Sequence, residues 1–192
     1  MNAKDNPFLE DNTVHKRNYL AWLVTIIAAI ITIFAVLYFF VFTPNEVNGP
    51  SMLPNYNNND FLLVSRPYSW LFGSDFGQSL GIEYQRNDVV VFNDKTEGDI
   101  VKRVIGLPGE TISMKNKNLY IDGVQYVEDY EILNNLKKDG TKLVNNGPSV
   151  TLSDTEFFLM GDNRDVSYDS RELGPIDISK IKGKVVLKFW PL

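Results

Sequence analysis

The sequence predicts a mostly β protein that is held in a membrane by one N-terminal helix. Residues 19–42 contain no charged side chain, and a helix of that length spans about 30 Å of hydrocarbon. After this run, short stretches rich in Val, Ile and Phe alternate with Asn, Asp, Gly and Pro, which is the pattern of strands separated by turns. We therefore expect a tail over residues 1–18, a membrane helix over residues 19–42 and one folded domain over residues 43–192.

The charges beside the apolar run predict its orientation. Lys16 and Arg17 lie directly before the run, whereas the first cation after it is Arg66. Because positive residues favour the cytoplasmic side, we expect residues 1–18 to be a mobile cytoplasmic tail and the domain to be extracytoplasmic. Residues 38–42 are bulky rather than small, which favours an uncleaved single-pass anchor over a cleavable secretory signal.

Seven short runs are the candidate strands of the domain. Each is bounded by turn-forming residues and is rich in β-branched or aromatic side chains. Asp122-Gly123 separates two of the runs and is typical of a tight hairpin turn. The runs are residues 61–64, 89–92, 100–105, 119–121, 124–127, 157–160 and 185–190.

One connecting segment, residues 67–73, is unusually apolar. It contains Tyr68, Trp70, Leu71 and Phe72 in a stretch that otherwise resembles a loop. These side chains either fold back onto the core of the domain or insert into the bilayer surface beside the anchor. The sequence leaves both alternatives open.

The composition excludes several classes of function. The net charge is −5, so a nucleic-acid partner, which requires a basic surface, is not expected. There is no cysteine, and the single histidine, His15, precedes the apolar run. A domain after that run therefore has no thiolate nucleophile, no Ser-His-Asp triad and no histidine-based metal site. A serine nucleophile in this domain needs a different base.

Ser51 is the candidate nucleophile. It lies in Asn48-Gly49-Pro50-Ser51-Met52-Leu53-Pro54-Asn55, shortly after the apolar run. Glycine and proline before the serine, and proline after it, specify a tight bend rather than a helix or strand. Such a bend suits an exposed nucleophile, but it also suits a plain linker turn between membrane and domain.

Lys102 is the candidate general base. Residues 100–105 form a predicted strand in which each cation has β-branched neighbours on its own face. Burial disfavours the charged amine and lowers the pKa of a lysine, so Lys102 is suited to accept a proton. The alternative is a lysine that extends to solvent from an edge strand. The neighbouring Arg103 stays charged and needs a carboxylate partner.

A dense polar loop follows the last but one predicted strand. Residues 161–171 contain three aspartates, two arginines and two serines. An EF-hand calcium loop does not fit, because Arg164 and Arg171 supply cations of their own and the acceptor spacing is wrong. Interleaved Asp and Arg instead indicate an ion-paired loop that positions a hydroxyl group. We expect neither a metal nor a cofactor.

Taken together, these stretches resemble the type I signal peptidases, membrane-anchored serine endopeptidases with a Ser–Lys dyad that remove signal peptides from exported preproteins. The similarity covers residues 49–54, 102–110 and 161–171, in the family's order after one anchor, and the compact arrangement is similar to the Gram-positive branch. The resemblance implies a coiled antiparallel β-sheet domain on the bacterial cell membrane. It also implies cleavage after small residues at positions −1 and −3 through an acyl-enzyme, with the bilayer and the secretion translocon as further partners.

The resemblance assigns a role to individual residues. Ser51 is expected to be the nucleophile, and its backbone N–H is expected to contribute to the oxyanion hole. In some members a hydroxyl two residues before the nucleophile is a second donor, but Gly49 stands there, so the second donor is left open. Asn55 replaces a common threonine, and we expect this change to be tolerated because it lies outside the dyad. The remaining roles are Lys102 as general base, Ser167 orienting its amine, and the supporting pairs Asp162 with Arg103 and Asp169 with Arg171.

Two other functions are consistent with parts of the sequence. A catalytically silent relative would keep the anchor and bind secretion partners, although the residues of the dyad are intact. A self-cleaving Ser–Lys protease of the repressor type would share the fold. The membrane anchor and the lack of a DNA-binding segment count against the second alternative.

Overall fold

The computed structural model describes residues 7–67, 82–116, 118–133 and 149–191. The chain divides into two units, Met1–Val41 and Phe42–Leu192. Residues 68–73 of the apolar connecting segment lie outside the described residues, so their contact with core or bilayer stays a prediction.

The first unit contains one long helix, α1 (Pro7–Val41). Its segment Tyr19–Val41 is long and apolar enough to cross a membrane, and none of that segment is buried against protein. The prediction of one N-terminal helix of this kind is confirmed. Residues 7–18, which were expected to be a mobile tail, are part of this helix, because it already begins at Pro7; their mobility and cytoplasmic location stay predictions. Proline suits a first helical turn, and neither glycine nor proline follows it before Pro44.

The second unit contains two antiparallel sheets, which confirms the mostly β prediction. The smaller sheet has four strands in the spatial order β7 (Val124–Tyr126), β6 (Asn118–Ile121), β5 (Thr111–Lys115) and β8 (Val150–Thr151). A short helix, α2 (Ser170–Leu173), and a 3₁₀ turn (Ile178–Lys180) complete the described elements. The larger sheet has the order β1 (Phe42–Glu46), β2 (Phe61–Ser65), β11 (Ile181–Trp190), β3 (Val89–Asp94), β4 (Gly98–Gly106), β9 (Glu156–Met160) and β10 (Ile176–Asp177).

All seven predicted runs lie in strands, although Val127 falls just beyond β7. The predicted hairpin turn is also present, since Ile121 pairs with Val124. Asp122 and Gly123 both have positive φ angles, 52° and 79°, as a type I′ turn requires. Four strands were missed: β1, β5 and the two-residue strands β8 and β10. In β1, Phe42 was assigned to the helix, and Pro44 argues against a strand.

The core of the second unit places the turn that carries Ser51. Met52, the next residue, is fully buried in a cluster with Val47, Val64, Val91 and Val101. These partners come from the segment after β1 and from β2, β3 and β4. Burying one such side chain contributes about 2 kcal/mol, so Met52 anchors the turn to the sheet. A second cluster lies between β9 and the smaller sheet. A third cluster lies around β3, β4 and β9.

Candidate active site

The structure brings the predicted nucleophile and the predicted base together. Lys102 Nζ lies 2.8 Å from Ser51 Oγ, within hydrogen-bond distance, although the residues are 51 positions apart. The lysine is supplied by the middle of β4 and the serine by the turn that Met52 anchors. This geometry fits direct proton transfer between the hydroxyl and the amine.

Lys102 is almost completely buried, with 2% of its surface exposed. Its Nζ also donates a hydrogen bond to the carbonyl oxygen of Val101, at 3.0 Å. Burial lowers the pKa of Lys102 from 10.5 to about 8, an effect that Asp169 opposes and Arg171 reinforces. The alternative of a solvent-reaching lysine is therefore wrong, and a useful fraction of the amine is neutral near physiological pH.

The turn around Ser51 is tied to the polar loop 161–171. The backbone N–H of Asn163 donates to the carbonyl oxygen of Ser51 at 3.0 Å, and Asn163 Nδ2 donates to the carbonyl oxygen of Pro50 at 3.1 Å. Gly49 has a φ angle of 86°, which favours glycine, and its N–H donates to Asn58 Oδ1 at 2.7 Å. A plain linker turn would not need these contacts.

Arg103 and Asp162 form a buried bidentate ion pair. Arg103 Nε lies 2.8 Å from Asp162 Oδ1, and Nη2 lies 2.6 Å from Oδ2. The remaining Nη1 donates to the carbonyl oxygen of Asn87 at 2.9 Å, and the guanidinium lies 4.1 Å from the centre of the Tyr130 ring. The pair therefore fixes the strand that carries Lys102 to the start of the polar loop.

Asp169 and Arg171 form the second expected pair. Arg171 Nε and Nη2 lie 2.8 Å and 2.9 Å from the two carboxylate oxygens of Asp169. Asp169 also accepts a hydrogen bond from the N–H of Gly161 at 3.0 Å. Burial alone raises the pKa of Asp169, but the bonds and charge of Arg171 outweigh it, so the pKa lies below its usual range. Asp169 therefore stays ionised and supports the backbone beside the dyad.

Ser167 lies in the same region without a hydrogen bond to Lys102. Its side chain is buried, with 2% exposed, and Lys102 Nζ donates only to Ser51 and Val101 among the described residues. The role of Ser167 in orienting the amine therefore stays a prediction.

Gly161 separates Ser167 from the nucleophile turn. A Cβ atom built on Gly161 would lie 2.5 Å from the carbonyl oxygen of Ser51 and 2.6 Å from Ser167 Cβ. Both distances are far below van der Waals contact, so only glycine fits at this position.

One ion pair of the site was not expected from the sequence. Arg164 binds Glu128 through Nη1 and Nη2, and Arg164 Nη2 lies 3.1 Å from the Tyr130 hydroxyl. Arg164 Nε donates to the carbonyl oxygen of Gly161 at 2.8 Å. Glu128 lies 36 residues earlier, just after β7, so only the charge of Arg164 in a polar loop hinted at a partner.

An open cleft of about 200 Å³ runs past the dyad. One wall is β4, whose residues 98–102 pair with β3 on one edge. On the other edge, β9 pairs only from Arg103 onward, so within the described part of the chain no strand pairs with residues 98–102 on this free edge. The cleft is lined by Ser51, Lys102, Val47, Asn48, Glu97, Asp99, Ile100, Val101, Val166 and Tyr168.

The comparisons of the sequence with known proteins agree with one another. The family model described as "Signal peptidase, peptidase S26" matches residues 19–190. The chain is 34% identical over 186 residues to signal peptidase IB of Staphylococcus aureus (strain Mu50) and 37% identical over 183 residues to signal peptidase I P of Bacillus subtilis subsp. natto, covering 92% of both chains in each case. Among solved structures, a signal peptidase I from Enterococcus faecalis matches with 34% identity and a TM-score of 0.44, over 54% of this chain and 97% of that chain.

Proposed function

Because this chain belongs to the signal peptidase family, peptidase S26, we propose that Ser51 and Lys102 are the catalytic dyad with which it cuts signal peptides from exported preproteins. The observation that carries the proposal is the 2.8 Å distance between Lys102 Nζ and Ser51 Oγ in a site where the amine is buried. Burial lowers the pKa of Lys102 to about 8, so a fraction of the amine is neutral near physiological pH and lies within hydrogen-bond distance of the hydroxyl.

The proposed reaction has two halves. Neutral Lys102 accepts the proton of Ser51 Oγ while this oxygen attacks the carbonyl carbon of residue −1, and the backbone N–H of Ser51 stabilises the resulting oxyanion. The lysine then donates the proton to the leaving amine, and the mature protein departs. Water, deprotonated by Lys102, next attacks the ester on Ser51; the lysine returns this proton to Ser51 Oγ as the ester C–O bond breaks and the signal peptide is released.

The substrate is proposed to bind as an added strand. The free edge of residues 98–102 offers backbone N–H and C=O groups beside Ser51, and an extended peptide can pair with such an edge. Val47 and Ile100 contribute apolar surface to a small cleft. A small cleft of this kind favours the small residues proposed at positions −1 and −3.

Membrane localisation follows from the family and from the apolar helix. We propose that residues 1–18 are cytoplasmic and that residues 43–192 act on the extracytoplasmic side, where preproteins emerge from the translocon. A signal peptide is itself held in the bilayer, so confining enzyme and substrate to one surface raises their effective concentration.

The proposal is tested with the full chain in lipid vesicles and a preprotein that carries an Ala-x-Ala site. We expect cleavage directly after that site, as shown by N-terminal sequencing of the product. A matched preprotein with bulky residues at positions −1 and −3 is expected to stay intact. If the first preprotein is bound but never cut, the catalytically silent alternative is correct.

The rate is expected to fall as the pH falls through the pKa of Lys102. Since that pKa is about 8, kcat/KM for a peptide substrate should decrease about tenfold for each pH unit below it and level off above it. Because the protonated amine cannot accept the proton of Ser51, kcat/KM falls rather than rises as the pH is lowered. A pH series of kcat/KM measures this, and a rate that is constant from neutral to acidic pH would contradict the role of Lys102.

A further inference from the structure

Asn55 connects the nucleophile turn to the ion pair behind it. This residue lies four positions after Ser51, at the end of the same turn. Asn55 Nδ2 donates one hydrogen bond to Asp162 Oδ2 at 2.9 Å and one to the carbonyl oxygen of Glu131 at 2.8 Å. The two N–H groups of the side-chain amide are therefore both in use.

The acceptor of the first bond is the carboxylate that holds Arg103. Asp162 Oδ2 receives Asn55 Nδ2 at 2.9 Å and Arg103 Nη2 at 2.6 Å. Arg103 is adjacent to Lys102 on β4. A chain of contacts thus leads from the turn of the nucleophile, through Asn55 and Asp162, to the strand of the base.

The acceptor of the second bond, the carbonyl oxygen of Glu131, lies in residues 131–133, a segment that is hydrogen-bonded to the backbone of the polar loop at Asp162 and Arg164. The N–H of Leu133 donates to the carbonyl oxygen of Asp162 at 3.0 Å, and the N–H of Arg164 donates to the carbonyl oxygen of Leu133 at 2.7 Å. By bonding Glu131 as well, Asn55 holds this segment and the aspartate together.

We propose that Asn55 is a positioning residue that sets the distance between Ser51 Oγ and Lys102 Nζ. The inference rests on the proposed function of the dyad. The turn is held to the polar loop at its two ends: at the first point Asn163 binds the carbonyl oxygens of Pro50 and Ser51, and at the second point Asn55 binds Asp162. With the second point lost, the turn can pivot about the first, and a shift of about 1 Å between reacting groups costs about 100-fold in rate.

The chemistry of the amide separates Asn55 from the threonine that the resemblance led us to expect. A threonine hydroxyl has one hydrogen to donate, so it can bind Asp162 or Glu131 but not both. Asn55 lies outside the dyad, as expected, but it is one hydrogen bond away from the partner of Arg103.

The test compares Asn55→Ala and Asn55→Thr with the parent chain in vesicles. We expect Asn55→Ala to lower kcat about 10- to 100-fold with KM changed less than about twofold, because the contact positions reacting groups and does not touch substrate. Asn55→Thr, with one donor, should recover part of the loss. Asn118→Ala, an exposed asparagine at the start of β6, is the matched control and should leave both constants unchanged.

A double variant tests the route through Asp162. If Asn55 acts through this carboxylate, adding Asn55→Ala to Asp162→Asn should lower kcat less than it does in the parent, when kcat is measured at a temperature where circular dichroism shows that all of these variants are folded. Full additivity, or an unchanged kcat in Asn55→Ala, would overturn the inference.

A second measurement separates this inference from the proposed function. Labelling of Ser51 by a small fluorophosphonate probe needs the activated hydroxyl but no signal peptide. Slower labelling in Asn55→Ala supports the positioning role, whether or not the preprotein is cut. An uncut preprotein would count only against the proposed substrate. Labelling at the parent rate refutes the positioning role.

Discussion

Replacing Lys102 by methionine should abolish cleavage and at the same time stabilise the folded domain. Methionine has a similar length and leaves no charge in a site that is 2% exposed. Without the base, kcat should fall about 1,000-fold or more. A protonated amine whose pKa is about 8 instead of 10.5 costs the folded state about 3 kcal/mol, and the methionine variant avoids this cost.

The pH dependence of the stability gain shows whether Lys102→Met stabilises the domain by removing a buried charge or by improving the packing. Below about pH 8 the amine is protonated in both folded and unfolded chains, so the parent bears the full cost there. Between 8 and 10.5 only the unfolded chain stays protonated, the parent gains stability with rising pH, and the advantage of the variant should shrink. Denaturant unfolding at several pH values measures this. Lys180→Met, at an exposed lysine, is the control, and a destabilised Lys102→Met at neutral pH would contradict burial as the cause of the low pKa.

Removing the carboxylate of Asp162 should unfold or strongly weaken the domain. Asp162→Ala leaves the guanidinium of Arg103 buried without its partner, and breaking a buried pair in this way costs about 3 to 5 kcal/mol. The exposed pair of Lys182 and Asp99 is the comparison, because Lys182→Ala there should cost no more than about 1 kcal/mol. The free energy of unfolding of each variant decides the matter. An Asp162→Ala loss as small as that of Lys182→Ala would show that Arg103 finds another partner or water.

The double variant Arg103→Met with Asp162→Leu completes this experiment. Both charges are then removed together, so most of the lost stability should return. Activity should not return, because Asn55 loses the carboxylate of Asp162, its acceptor on the polar loop. Stability and catalysis are thus separable at this pair.

The sequence was sufficient for the fold class and for the two side chains, Ser51 and Lys102, that the structure brings within hydrogen-bond distance. The apolar run, the β-branched stretches and the cations within a predicted strand are local signals. The neighbours of Lys102 on its strand made it a candidate base, and the family resemblance assigned it that role. The strand β1 was missed because Pro44 and Asn45 carry no strand signal, and pairing with β2 decides its conformation. Tertiary packing overrides local propensity in such cases.

The partners of the polar side chains were harder to predict. Asn55 and Asp162 are 107 positions apart, and Arg164 and Glu128 are 36 positions apart. No periodicity relates such residues, since only the folded sheet order places them side by side. The resemblance named Arg103 with Asp162 and Asp169 with Arg171, but it gave no indication of Glu128 or of the second bond of Asn55.

The narrow space at Gly161 affects how related sequences should be interpreted. Any single-nucleotide change that alters this codon to another amino acid introduces a side chain between the carbonyl of Ser51 and Ser167. A homologue with such a change would keep the serine and the lysine of the proposed dyad, but the turn that carries the serine would have to shift. We therefore expect a relative that lacks this glycine to be inactive even where the serine and lysine of the proposed dyad are present, so all three positions should be inspected together.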